Sequence, residues 1–202
     1  MLRLIYHFYL GLLAIILLLN PAYGSEKSSS WEALKAGQAI AIMRHAIAPG
    51  FGDPVGFDVT NCATQRNLSA AGRRQAKKIG DIFRAQGISQ ARVISSEWCR
   101  CQDTAELLQL GKPTIDPMLN SFFQNRGSAQ SQTQSLKGAV YGWLNKANNG
   151  SGDTPVRVLV THQVNVSGLT GRGTGSGDIQ IIGLDDQGAI TVLEQITAPD
   201  VY

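Results

Sequence analysis

The sequence has little of what several classes of protein depend on. Charged residues make up only 16% of its 202 residues and hydrophobic residues 43%, a balance that excludes a disordered chain. The net charge is only +3, and basic residues cluster nowhere except at Arg73-Arg74 and Lys77-Lys78, so no nucleic-acid partner is expected. No internal repeat is visible, and the length corresponds to about one domain.

Cysteine and histidine are also scarce, with three residues of each. Neither C-x-x-C nor H-x-x-x-H spacing occurs among them, and such spacings are how zinc sites are recognised in a sequence. We therefore predict no metal site and no cofactor.

Long apolar runs are confined to the N-terminus. Leu10 to Leu19 is almost entirely Leu, Ile and Ala, with Arg3 before it and Asn20-Pro21 after it. This order is typical of a secretory signal peptide, which we predict to cover residues 1–24 with cleavage after Gly24. The run is shorter than the ~20 residues of a spanning helix, and an uncleaved anchor is the alternative. Either way we expect the remaining chain to be exported, periplasmic or secreted, with no membrane contact after cleavage.

The three cysteines all lie in the exported part. In an oxidising compartment Cys62, Cys99 and Cys101 can form at most one intramolecular disulfide. A bond between Cys99 and Cys101 would close too tight a ring, so we predict that Cys62 pairs with one of these two. The alternative is three buried, reduced thiols that act as small hydrophobic side chains.

Strand and helix patterns alternate along most of the chain. Residues 25–37 are predicted to be a linker with a short helix near Trp31, and residues 38–202 to form the domain. Short apolar runs predict strands, and apolar residues three or four apart predict helices. In chain order these are a strand at 38–43, a helix capped by Ser69 and ended by Gly87, a strand at 92–95, a helix at 102–110, a strand at 114–115, a helix at 132–146 and a strand at 156–160. This alternation predicts an α/β fold, a three-layer α/β/α sandwich with a mostly parallel sheet.

The end of the chain has a different pattern. Two apolar runs, 179–184 and 190–196, flank Asp185-Asp186-Gln187-Gly188, which predicts a hairpin and hence an antiparallel edge strand. The Gly-rich run 171–177 precedes these strands, whereas a phosphate-binding loop follows a strand. We interpret the run as a flexible loop near the strand ends, with a phosphate cradle as the alternative.

Two histidines and two arginines lie where predicted strands end. Arg44 and His45 close the first strand, His162 follows a later one, and Arg100 comes shortly after a third. Because open α/β sheets gather ligands at the carboxyl ends of their strands, these four side chains are expected to converge. Each histidine alone would more often be a structural residue, and the conjunction is what indicates a site.

Such a cluster suits a phosphoryl group. Arginine offers planar, bidentate donors of permanent charge, and a neutral imidazole can attack phosphorus. We therefore predict that His45 is the nucleophile and forms a phosphohistidine. His162 and the two arginines would neutralise the charge of the phosphoryl group during transfer.

Four segments resemble the histidine phosphatase superfamily, also called phosphoglycerate-mutase-like. Arg44-His45-Ala46 resembles its R-H-G signature, and Leu68 to Ala76 resembles its L-T/S-x-x-G-x-x-Q-A helix start. Ser95 to Ala105 resembles its S-S-x-x-x-R-x-x-x-T-A segment, and His162 stands where the family has its second pocket histidine. The resemblance runs from about residue 38 to 196. Within the family, the sequence is most similar to the small, exported bacterial members.

The resemblance implies a phosphoric monoester hydrolase that acts on a small phosphorylated molecule, with an envelope sugar phosphate as one candidate. It also implies a role for Arg66 in substrate binding, and we expect a monomer. The alternative is an exported pseudo-enzyme of the same fold that binds phosphate groups without turnover.

The sequence departs from the family pattern in two ways. Ala46 replaces the signature glycine, a small change that we expect to be tolerated. No general acid stands where relatives carry one, since Ser121-Phe122-Phe123 follows Leu119-Asn120, and Gln163 follows His162. Without an acid, leaving groups that depart unaided would be favoured. If another carboxylate has taken over, Asp178 is the first candidate, and Asp53 and Asp58 are the next.

Overall fold

The computed structural model describes residues 29–150 and 155–201. The predicted signal peptide lies outside these residues, so cleavage after Gly24 stays a prediction. Within the described ranges, no helix combines the length and the apolar character needed to cross a membrane.

Five helices and six strands make up the described chain. The helices are α1 (Ser29–Lys35), α2 (Ala70–Ala85), α3 (Cys99–Leu107), α4 (Ala129–Asn148) and α5 (Gln163–Thr170). The strands are β1 (Ile40–Arg44), β2 (Arg92–Ser95), β3 (Thr114–Ile115), β4 (Arg157–Thr161), β5 (Ile179–Leu184) and β6 (Ile190–Ile196). Short 3₁₀ turns at Cys62–Thr64, Pro117–Leu119 and Arg126–Ser128 interrupt the connecting loops.

The strands form one sheet in the order β3-β2-β4-β1-β5-β6. β1, β2, β3 and β4 pair in parallel, whereas β5 runs antiparallel to both β1 and β6. The predicted sheet is therefore confirmed, with the β5-β6 hairpin at one edge. The strand of this hairpin that runs antiparallel to β1 is β5, and β6 forms the outer edge of the sheet.

Two hydrophobic cores cover the two faces of the sheet. Since successive strand residues point to opposite faces, Ala41 and Met43 join one core and Ile40 and Ile42 the other. Residues of α1, α2 and α3 complete the first core, and residues of α4 and α5 complete the second. The three-layer α/β/α arrangement is confirmed.

Several helices differ from the sequence-based expectation; α4, for example, extends over Ala129–Asn148 and not only over 132–146. α3 begins at Cys99, three residues earlier than the predicted 102, with no side-chain cap at Trp98. α5 was not predicted, because its QVNVSGLT segment is short and contains two valines and a glycine, which favour helix weakly. Burial of Val166 and Leu169 in the second core stabilises it instead.

One disulfide joins the long loop after β1 to the start of α3. Cys62 and Cys99 are bonded, with Cα atoms 5.7 Å apart, which confirms the prediction for Cys62 and makes the three-thiol alternative wrong. Cys101 is the buried free thiol. Gln65 adds to this connection, since its Oε1 accepts a hydrogen bond from the Cys99 backbone N–H at 3.1 Å.

Candidate active site

The sheet brings the two predicted histidines together. Arg44 and Thr161 are register partners on the adjacent parallel strands β1 and β4, so His45 and His162 follow them side by side. Their ring centroids lie 5.6 Å apart. Arg100, in the first turn of α3, reaches both rings, and one cavity of about 540 Å³ is lined by Arg44, His45, Arg66, Arg100 and His162.

His45 is oriented by its own chain. Its Nδ1 lies 2.8 Å from the Ala46 carbonyl oxygen, a hydrogen bond that assigns the ring proton to Nδ1 and leaves the lone pair on Nε2. Burial, and then the charge of Arg100, lower the pKa of His45 well below its usual value. The imidazole is therefore neutral at pH 7, the form that acts as a nucleophile.

His162 has the opposite tautomer. Its Nε2 lies 2.9 Å from Ser96 Oγ, and Ser96 Oγ donates in turn to Asn120 Oδ1 at 3.2 Å. Nδ1 faces Arg100 Nη2 at 3.4 Å and accepts from it. Burial, followed by the proximity of His45, lowers the pKa of His162 well below its usual value. Both imidazoles are thus uncharged at neutral pH.

Three arginines give the cavity a positive field. Arg66 is held by backbone carbonyls, with its Nε donating to Gly52 at 2.8 Å and its Nη1 to Ala48. Arg44 keeps a buried Nε with no hydrogen-bond partner among the described residues. Burial and the charge of Arg100 lower the pKa of Arg44 and of Arg66, although both stay protonated at neutral pH. A polyanion is the ligand that this arrangement suits.

The Asp178 carboxylate does not line the cavity, although its charge acts on Arg44 and partly offsets the lowering of the Arg44 pKa. The carboxylate accepts hydrogen bonds from the backbone N–H of Gly175 at 2.7 Å and of Ala198 at 2.9 Å. The Asp178 carboxylate therefore holds the Gly-rich loop in place. The same loop contacts the backbone of His45, because Gly177 N donates to the His45 carbonyl at 3.1 Å. Neither Asp178 nor this loop lines the cavity. The phosphate-cradle alternative is accordingly wrong.

The other two aspartates have different positions. Asp58 is exposed, and its carboxylate accepts from the backbone and the hydroxyl of Thr60, both at 2.8 Å. Asp53 lines the cavity and forms an ion pair with Arg100 at 2.7 Å. Burial raises the pKa of the Asp53 carboxyl, but the hydrogen bonds and charge of Arg100 outweigh it and hold the pKa below its usual value. Asp53 is ionised at neutral pH.

The mouth of the cavity contains residues that the sequence did not reveal. Phe51 follows β1, and Phe123 follows the Leu-Asn pair where relatives would place an acid; their rings meet edge to face at 5.0 Å. The Arg126 guanidinium lies 5.7 Å from the centre of the Phe123 ring. Only the S-F-F triplet in place of the expected acid could have pointed to this mouth. Within the described residues, no group of three or more His, Cys, Asp and Glu side chains is placed to hold a metal ion.

Comparisons with known proteins find a similar family and similar folds. Residues 41–123 match the model of the histidine phosphatase superfamily (branch 1). The chain is similar to the protein histidine phosphatase SixA complexed with tungstate, at 21% identity and a TM-score of 0.52, over 79% of this chain and 96% of that one.

Two mycobacterial structures are similar as well. The open reading frame Rv3214 from Mycobacterium tuberculosis is 16% identical, with a TM-score of 0.55 over 81% of this chain and 97% of its own. The mycobacterial glucosyl-3-phosphoglycerate phosphatase Rv2419c is 14% identical, with a TM-score of 0.51 over 80% and 97%. None of the curated proteins matches the sequence. At such identities the solved structures establish the fold.

Proposed function

We propose that this chain, which matches the histidine phosphatase superfamily over residues 41–123 and has a similar fold, is a phosphoric monoester hydrolase acting through a phosphohistidine on His45. One observation carries the proposal. His45 is buried and neutral, its Nδ1–H is fixed on the Ala46 carbonyl, and its Nε2 lone pair faces a cavity whose lining includes Arg44, Arg66 and Arg100.

The reaction takes place in two displacements. His45 Nε2 attacks phosphorus, the Nε2–P bond forms, and the bond to the leaving group breaks with its electron pair on that group. Water then attacks phosphorus, the P–N bond breaks, and its electron pair returns to Nε2 as orthophosphate and a proton are released. Arg44, Arg66 and Arg100 stabilise the charge on the phosphoryl oxygens in both steps.

The cavity also favours a particular kind of leaving group. Asp53 is the only carboxylate among the described residues that line the cavity, and it is ionised and paired. Protonation of an alkoxide would contribute ~10²–10⁴-fold, so its absence favours leaving groups that depart unaided. Phosphoramidates, anhydrides and aryl phosphates meet this condition. The fold is that of a protein histidine phosphatase, and a phosphohistidine is itself a phosphoramidate.

The mouth supports a leaving group with a flat apolar face. Phe51 is 87% exposed at the cavity opening although it is a large aromatic residue, and it meets Phe123 edge to face. Arg126 forms no ion pair within the described part of the chain and lies beside the same ring. An aryl phosphate with a second anionic group would contact both the aromatic pair and Arg126. An envelope sugar phosphate without such a group would contact only the aromatic pair, through its sugar ring.

We also propose that the protein works in the periplasm or after secretion. The Cys62–Cys99 disulfide supports this, because such bonds form and persist in oxidising compartments. The signal-like N-terminus of the sequence points the same way.

One observation favours a binding protein without turnover. Arg100 Nε donates to the His45 Nε2 lone pair at 3.2 Å, and among the described residues that line the cavity the only carboxylate, Asp53, is already paired with Arg100. In a pseudo-enzyme, phosphate would bind in the cavity while the Arg100–His45 hydrogen bond stays in place, so His45 would not attack phosphorus.

Hydrolysis of p-nitrophenyl phosphate separates the two functions. Its aryl leaving group needs little acid, so the purified mature protein should release nitrophenol and His45→Ala should not. Acid-quenched wild type should carry a phosphoryl adduct by intact mass, absent from His45→Ala, with the exposed Lys112→Ala as a matched control that retains both. Wild-type inactivity with tungstate still bound would leave the binding function as the answer.

A further inference from the structure

Every N–H group of the Arg100 guanidinium has an acceptor within the protein. Its terminal nitrogens form a two-point contact with the Asp53 carboxylate, Nη1 to Oδ1 at 2.7 Å and Nη2 to Oδ2 at 3.0 Å. Both side chains are only 3% exposed. The outer edge of the guanidinium, formed by Nη1 and Nη2, is therefore fixed by Asp53.

The remaining donors of Arg100 have acceptors too. Nη1 donates to the Arg66 carbonyl at 3.2 Å, which helps to fix the guanidinium plane. The side edge, formed by Nε and Nη2, faces His45 Nε2 at 3.2 Å and His162 Nδ1 at 3.4 Å. These two acceptors are the ring nitrogens whose lone pairs point into the cavity. The side edge of a guanidinium is one of the edges that bind an oxyanion through two parallel hydrogen bonds.

Asp53 is itself saturated with donors. Besides Arg100, its Oδ2 accepts from the Trp98 indole N–H at 3.0 Å and its Oδ1 from the Arg66 backbone N–H at 3.1 Å. Four hydrogen bonds thus hold the carboxylate in one orientation. A carboxylate so occupied has no proton to give to a leaving group, which separates its role from that of an acid.

We propose that Asp53 is the positioning residue of the reaction: it holds the outer edge of Arg100 so that the side edge lies between His45 and His162, where the phosphoryl group docks. Incoming phosphoryl oxygens take over the two N–H groups of that edge. The lone pair of His45 Nε2 is thereby released at the moment when phosphorus is in reach. The inference rests on the proposed phosphatase function.

Charge balance gives Asp53 a second effect. Arg44, Arg66 and Arg100 surround one cavity, and the charge of Arg100 acts on both of the others. Asp53 offsets one of the three positive charges. A neutral residue in its place leaves a more positive cavity with a less ordered Arg100, so anions should bind at least as well while turnover slows.

Asp53→Asn tests this separation. We expect kcat for p-nitrophenyl phosphate to fall about 10–100-fold, since a small misplacement of a positioning group costs this much. We expect Kd for tungstate, measured by calorimetry, to equal or fall below that of wild type. Asp58→Asn removes an exposed carboxylate of the same loop and is the matched control, with wild-type values for both.

The longer carboxylate of Asp53→Glu keeps the charge and shifts the contact. Asp53→Glu should therefore recover part of the kcat that Asp53→Asn loses. It also provides a second test of the position if Asp53→Asn does not fold. In an Arg100→Lys background, Asp53→Asn should cause no further loss of kcat, because Asp53 acts through Arg100.

Three results would overturn the inference. They are an unchanged kcat in Asp53→Asn, a tungstate Kd more than about threefold weaker in a variant that melts like wild type, and an additive loss of kcat in the Arg100→Lys background. If wild type hydrolyses nothing, the proposed function fails, and the tungstate comparison still decides whether Asp53 limits anion affinity through charge.

Discussion

The two buried imidazoles are neutral because the cavity already contains guanidinium groups. Adding a proton to His45 or His162 would place a further positive charge beside Arg100 and away from water, and burial is the larger of these effects. An anion reverses both conditions, since it brings negative charge to the same place. The histidines of the cluster are thus uncharged, and the guanidinium groups around them are complementary to phosphate.

This neutrality makes stability depend on pH. The folded pKa of each histidine is lower than in the unfolded chain, so below about pH 6.5 the unfolded state binds protons that the folded state does not. The free energy of unfolding should be highest above this pH and fall as the pH decreases, by about 1.4 kcal/mol per pH unit for each histidine. Urea unfolding between about pH 7.5 and 5 measures this slope. His162→Asn should halve the slope of the unfolding free energy against pH. A free energy that does not change with pH in this range would contradict the assignment of neutral imidazoles.

The residues of the site were predictable to different degrees. Arg44, His45 and His162 stand at strand ends, where topology alone brings them together. Asp178 also lies at a strand end, but its carboxylate binds backbone N–H groups of a turn, which is common for aspartate. The partner of Asp53 lies 47 positions along the chain, so no local pattern could reveal that pair.

α2 packs closely against the loop after β1. Ser69 Oγ accepts from Gly72 N at 3.0 Å and begins the helix, as predicted. A Cβ atom on Gly72 would lie 2.0 Å from the Ile47 carbonyl oxygen, so only glycine allows this approach. Gln75 Oε1 accepts from Ile47 N at 3.1 Å one turn later. The glycine of the family motif therefore has a packing role.

Gly72→Ala should destabilise the protein by about 1–3 kcal/mol, because the added methyl group meets backbone that cannot rotate away. Thermal unfolding measures the loss. The matched control is Gly138→Ala in α4, where a Cβ meets nothing within 4 Å and the better helix propensity should add up to about 1 kcal/mol. Equal effects of the two substitutions would contradict the close approach.

Element prediction succeeded where the local pattern was strong. The apolar runs of β1 and β4 and the capped start of α2 were all recognisable in the sequence. α5 was not, because its segment is stabilised by burial against α4 and the sheet and not by its own propensity. Tertiary contacts of this kind have no signature in a single sequence.

The complete fold places its cavity where β1, β2 and β4 end together, and the disulfide closes the loop that covers it. Cys62–Cys99 joins positions 37 apart and lies next to Arg100 in the chain. Constraining a loop of this length in the unfolded state stabilises a protein by about 2–4 kcal/mol.

A Cys62→Ser/Cys99→Ser variant should therefore lose about 2–4 kcal/mol in the free energy of unfolding, measured in denaturant without reductant. Reductant should lower the stability of wild type and leave the double variant unchanged. Cys101→Ala is the matched control: burial raises the pKa of that thiol to about 12 in the folded protein, where it is a poor nucleophile, and the variant should keep the sensitivity to reductant. A wild type that reductant does not destabilise would refute the structural role of the bond.

Trp98 has a consequence for how the protein can be observed. Its ring lies 5.2 Å from the centre of His162, and its indole N–H donates to Asp53. The other two tryptophans do not line the cavity: Trp31 belongs to α1 and is buried in the first core, and Trp143 of α4 lies beside Arg157. An indole that shares hydrogen bonds with the ion pair of the site emits light in the electric field of that site. The protein thus carries a native optical reporter of the charge state of its own cavity.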